Sequence, residues 1–166
     1  MKNEPRPALT RWQAAAIAYR TAFDWPAFCS GTVVWAYPHR FEALSVPRGI
    51  GHHTAAALGR AGVAAPVIDV PGGRPRWVFL TRPHVDAVHD AERVGDLLAG
   101  LDVGYAHGMP GSSWVVHLPP TRHPGRDELT WVTSPGLPPP DLRIVAAAIR
   151  YAYTGKPAGA GAEMAQ

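Results

Sequence analysis

Cysteine is almost missing from this chain: Cys29 is the only one in 166 residues. An internal disulfide is therefore excluded, and so is any zinc site built on several thiolates. Lysine is scarce too, with only Lys2 and Lys156 beside fourteen arginines. Charged residues amount to 17% against 46% apolar. That balance argues against disorder, despite eighteen prolines and seventeen glycines. No apolar run is long enough to cross a bilayer, because Arg, Asp, His or Pro interrupts each one. The opening "MKNEPRPALTRWQ" lacks the apolar core and cleavage site of a signal peptide. A soluble, cytoplasmic protein with no membrane partner is the expectation.

The formal net charge is +3. Arginine's planar fork suits phosphate and carboxylate. Abundant Ala, Gly and Pro, however, point to a GC-rich coding sequence that writes arginine by default. No basic run exists, so any cationic patch has to be assembled by the fold.

The length suits one domain with one core. Thr10 followed by Gln13 is a capping-box pattern, and apolar residues at helical spacing predict a helix over 11–23. "WPAFCSGTVVWAY" predicts two strands bent at Ser30-Gly31, and "FEALSVP" a short strand. "GIGHHTAAALGRAG" reads as a small helix. Val67–Val70 and Trp77–Thr81 read as strands paired around "PGGRPR". "PHVDAVHDAERVGDLLAGL" is expected to be the longest helix. "LDVGY", "SSWVVHL" and "ELTWVT" are further strands, with "AHGMPG" a turn, and Asp141 caps a last helix through Tyr153. The expected fold is mixed α/β (α+β), with a largely antiparallel sheet flanked by helices. Its expected organisation is a flexible 1–10, a single domain over 11–154 and a disordered tail over 155–166.

Most chemistry-bearing residues read blandly. His52 and His53 point about 100° apart on a helix and cannot easily share one ion. His84 and His89 have poor helical ligand spacing, and no H-E-x-x-H motif occurs. Cys29 sits in an apolar strand, where thiols are inert core residues. Ser112-Ser113 lead into a strand rather than a nucleophile elbow. "PGGRPR" lacks the Gly-Lys-Ser/Thr of a P-loop and the helix that would follow it.

The order of "DWPAF", "FEALSVP", "GHHTAAALGRAG", "IDVPGGRPRWVFL", "LDVGYAHGMPGSSWVVHLPPT" and "LTW" over Trp12 to Tyr153 resembles one family. That family is the N-terminal domain of bacterial bifunctional DNA primase/polymerases, within the archaeo-eukaryotic primase superfamily. The likeness is greatest to the short, stand-alone actinobacterial type, and "VVHLPPT…W" is its most distinctive portion. The resemblance implies a primase/polymerase-like fold and metal-assisted nucleotidyl transfer, in which paired strand aspartates and a third acid hold divalent ions.

This chain departs from that pattern. The paired aspartates fall on Ala43 and Ser45, and the turn histidine falls on Pro75. Asp102 stands at the place of the third acid. Glu42 is adjacent to the lost pair, but strand alternation puts it on the other face. One carboxylate cannot hold two Mg²⁺ ions, which need oxygen ligands and charge compensation.

The resemblance therefore implies a degenerate, non-catalytic member with no metal site and no cofactor, in a regulatory or accessory role. Gly72, Gly73, Arg74, Arg76 and Thr121 are its candidate contacts for a nucleotide or nucleic acid. Asp102 and Glu42 are residual catalytic candidates. They belong to an alternative, a nucleotidyltransferase (DNA primase/polymerase) needing Mg²⁺ or Mn²⁺. A third reading is a protein-interaction scaffold, with a protein partner or self-association.

Overall fold

A computed structural model describes residues 8–83, 87–108 and 114–155. Helix α1 (Arg11–Phe23) begins at a complete capping box. The Thr10 hydroxyl accepts from the Gln13 backbone N–H, and the Gln13 side chain accepts from that of Thr10. It ends at Asp24, whose backbone turns left-handed at φ 52°. Strands β1 (Ala27–Ser30) and β2 (Val33–Ala36) then form a hairpin. Strand β3 (Glu42–Pro47) runs straight into α2 (Arg48–Arg60). A second hairpin, β4 (Val67–Val70) and β5 (Arg76–Thr81), encloses the Gly-Gly turn. After it come α3 (Ala87–Leu98), β6 (Gly104–Ala106), β7 (Val116–Leu118), β8 (Thr130–Thr133) and α4 (Leu142–Thr154).

The strands form two sheets, ordered β1-β2-β7 and β6-β3-β5-β4-β8. Each pairing among the described residues is antiparallel. The mixed α/β expectation thus holds, with the strands divided between two open sheets. The described part of α3 has 12 residues against 13 in each other helix, and residues 84–86 of the stretch expected to be the longest helix lie outside the described residues. The Ser112-Ser113 pair, His84, the second half of the "AHGMPG" turn and both chain ends lie outside the described residues. No described helix is long and apolar enough to cross a membrane.

The period of two along each central strand splits the interior into two cores. Leu44 and Val46 of β3, Val67 of β4, and Trp77 and Phe79 of β5 face the helices. There they meet Leu58 of α2, Val94 and Leu98 of α3, and Val145, Ala146 and Ile149 of α4. Ala43, Ile68 and Leu80 face the other way, toward Ala27, Val34, Ala36, Val116 and Leu118 of the small sheet and Ala16 and Tyr19 of α1. Helix α2 lies so close to β5 that a Cβ on Gly51 would come within 2.8 Å of the Trp77 Cβ. A glycine there is what lets the helix settle on the indole.

Candidate functional site

Toward one end of the two sheets, the face of β3 that carries Ala43 and Ser45 opens into a groove of about 680 Å³. Its floor is small and apolar: Ala43, Val78, Ala106 and Val116. Ser45 and the backbone of Gly104 extend it, and His117, His123, Arg126 and Asp127 form its polar rim. The chain leaves β7 through Pro119 and Pro120, which are joined by a cis peptide bond, and doubles back. That return brings His123 against His117, with Nε2 and Nδ1 3.2 Å apart. Partial burial, and then the neighbouring His123 ring, hold His117 below the ordinary imidazole pKa. With Nδ1 engaged by His123, a neutral imidazole at that position leaves its Nε2 for a ligand.

The residues singled out from sequence are not gathered in this groove. Glu42 is buried on the helix side of β3, where it accepts a hydrogen bond from the Tyr105 hydroxyl at 3.0 Å. Asp102 stands at the other edge, held by Arg76 at 3.0 Å, while its carbonyl accepts from the Tyr153 hydroxyl. Arg76 also donates to the Ser45 hydroxyl and the Ser45 carbonyl, both at 2.8 Å. Its guanidinium is thereby committed to the protein. Thr121 is fully buried, and its hydroxyl donates to the carbonyl of Val34 and accepts from its N–H. It fixes the return chain to β2 and has no exposed surface for a ligand.

The Gly-Gly turn lies beside the groove. Val70 and Pro71 line it, while Gly72, Gly73 and Arg74 are exposed just beyond. Gly72 has φ 143°, a backbone setting that only glycine adopts at little cost. Asp69, at the root of the turn, is gripped in a fork by Arg48 at 2.9 and 2.8 Å. Arg74 has no carboxylate partner among the described residues.

The histidine pair and Arg126 escaped the sequence reading because nothing local joins residues six apart across a proline turn. The one available signal was the string "VHLPPTRH", in which two prolines force the chain to reverse. His52 lies over Trp77, 4.2 Å between ring centroids, and does not approach the groove. Cys29 is half-buried in β1. Among the described residues, no three His, Cys, Asp or Glu side chains are grouped to hold an ion.

Because Arg76 braces the protein, its loss is expected to act on stability. Arg76→Ala should cost about 1–2 kcal/mol, most of it from the hydrogen bonds to Ser45, since Asp102 is largely exposed and screened. Urea denaturation measures this, and a change below about 0.3 kcal/mol would show that the bracing is idle.

Fold and site together define an α+β domain with a groove between two antiparallel sheets. No family model, curated protein or solved structure matches the chain.

Proposed function

We propose that this domain is a primase/polymerase-like fold that has kept its groove and lost nucleotidyl transfer, and that the groove binds a nucleotide. One observation carries the reading. Ala43 and Ser45, the positions to which the resemblance assigns the metal-holding aspartates, lie on the groove floor. A cavity therefore stands where the chemistry would be, and methyl and hydroxyl groups stand where carboxylates would be. Neither group can neutralise a divalent cation between phosphates. Glu42 offers no substitute, because it lies across the sheet.

The rim supports a phosphate-bearing ligand. Arg126 supplies a fixed positive charge, His117 and His123 supply donors, and the apolar floor suits the face of a base. Arg74 and the bare backbone of Gly72 and Gly73, exposed and next in sequence to the groove-lining Val70 and Pro71, are the candidate contacts for a phosphate tail.

Calorimetric titration with a deoxynucleoside triphosphate, without and with Mn²⁺, tests this reading. Binding is expected in both conditions. Arg126→Ala should weaken it about tenfold, the value of one charge-assisted hydrogen bond. Primer synthesis with Mn²⁺ should be absent. Synthesis that is lost on Asp102→Ala would instead establish the residual nucleotidyltransferase, and absence of binding in either condition would remove the nucleotide.

A further inference from the structure

The small sheet has one face that no described helix covers. Ala27, Val34, Ala36, Val116 and Leu118 point into the core beneath α1. On the reverse side Phe28, Trp35 and His117 stand in line across the three strands, because Phe28 pairs with Trp35 and Trp35 with His117. Phe28, Trp35 and Tyr37 pack against neither core. Phe28 and Tyr37 are 43% and 37% exposed.

These rings meet one another instead. Phe28 lies 6.2 Å from Trp35, nearly parallel to it, and 5.7 Å from Tyr37. Tyr37 stacks on His39, and His117 lies against His123. The outcome is a run of four touching rings from His39 to Trp35, followed on the next strand by the His117–His123 pair, which belongs to the groove rim. Scattered exposed aromatics are ordinary, but rings lined up on neighbouring strands form a continuous apolar surface that water solvates poorly.

Charge decides what fits there. Strands β1, β2 and β7 contain no acidic residue. Arg122 is joined through its backbone N–H to Thr32 at the hairpin turn, and Arg126 stands by the groove. Both are exposed, and neither has a carboxylate partner among the described residues. Ring faces next to the segment that carries His123 and the exposed Arg122 and Arg126, with Asp127 offsetting part of that charge, match unstacked bases on a phosphate chain. Two strand spacings, about 10 Å, give room for two or three bases. A duplex keeps its base faces within its own stack and gains nothing from such a band. Stacking reads the faces of bases, which DNA and RNA share, so the occupant is a single strand of either sugar.

We propose that the outer face of the three-stranded sheet is a stacking platform for a single-stranded nucleic acid, leading toward the groove. It shares with the nucleotide reading only the class of ligand. Fluorescence anisotropy of a labelled twelve-nucleotide single strand of mixed sequence tests it on the full chain. Salt-dependent binding is expected, weakened about fivefold or more by Trp35→Ala and further by adding Phe28→Ala. Trp35→Phe, which keeps a ring, should retain most of the affinity. Thermal unfolding should show the ring variants folded.

No single-strand binding, or ring removal without effect in folded variants, would overturn the platform. Equal affinity for the matching duplex would overturn it too. A wild-type dimer in light scattering that Phe28→Ala disperses would assign the face to a second copy of the chain. The ring variants should leave mononucleotide binding in the groove unchanged, so each reading can fail without the other.

Discussion

Replacing Tyr19 by phenylalanine is expected to lower the unfolding free energy by about 2–3 kcal/mol, although only one oxygen is removed. The ring is buried in the first core, stacked on Trp25 at 5.6 Å, and the phenylalanine would keep that packing. The hydroxyl does something the ring cannot. It donates to the carbonyl of Pro119 at 2.6 Å and accepts from the indole N–H of Trp131 at 2.8 Å. One atom thus ties α1 to the return chain after β7 and to β8. Without it, a carbonyl and an indole N–H both lose their partner where water has little access.

The same hydroxyl carries a pH signature. Burial pushes its pKa up from 10.0 to about 12, and the Trp131 hydrogen bond opposes this only in part. The folded state therefore holds this proton more tightly than the unfolded chain does. Its contribution is fully present below pH 10 and is lost as pH rises from there through about 12. The loss in that window should be on the order of 2–3 kcal/mol. Urea unfolding at neutral and alkaline pH measures both effects. The Phe variant should be weaker at pH 7 and show a smaller alkaline loss. An unchanged alkaline profile in the variant would rule out Tyr19 as its source.

Phe79→Ala has the largest expected effect, about 3–5 kcal/mol. Phe79 is completely buried at the centre of β5, between Leu44 and Val67 on the neighbouring strands. It fills the second core, where three helices meet the sheet. Truncation leaves a hole that no exposed segment can fill. Domains of this size have total stabilities of roughly 5–15 kcal/mol, so the variant should be largely unfolded at modest urea. Phe28→Ala provides the contrast. The same chemical change on the uncovered face should cost under about 1 kcal/mol. Equal losses from the two variants would mean that the small sheet's outer face is not open in solution.

What the sequence disclosed and what it withheld follow from the range of the forces involved. Helix 11–23 was legible because Thr10 and Gln13 cap it locally. Strand alternation separated Glu42 from positions 43 and 45, and the structure keeps them on opposite faces. Which side of a strand is covered depends on distant partners. "AFCS" and "VVWA" show two strands, but only the docking of α1 leaves Phe28 and Trp35 on the outside. Arg76 looked available for phosphate because its partners lie 26 and 31 residues away. Thr121 was placed at a ligand by resemblance alone, whereas its hydroxyl serves Val34, 87 residues distant. The His117–His123 contact likewise exists only once two prolines have turned the chain.

The grip of Arg48 on Asp69 has a mechanical consequence. Arg48 holds the β4 root of the hairpin, and Arg76 anchors the β5 root to Ser45. A beam clamped at both ends bends only between its clamps. Any swing of the Gly-Gly turn therefore has to be taken up within residues 70–75, and it cannot be passed on as a slip in strand register.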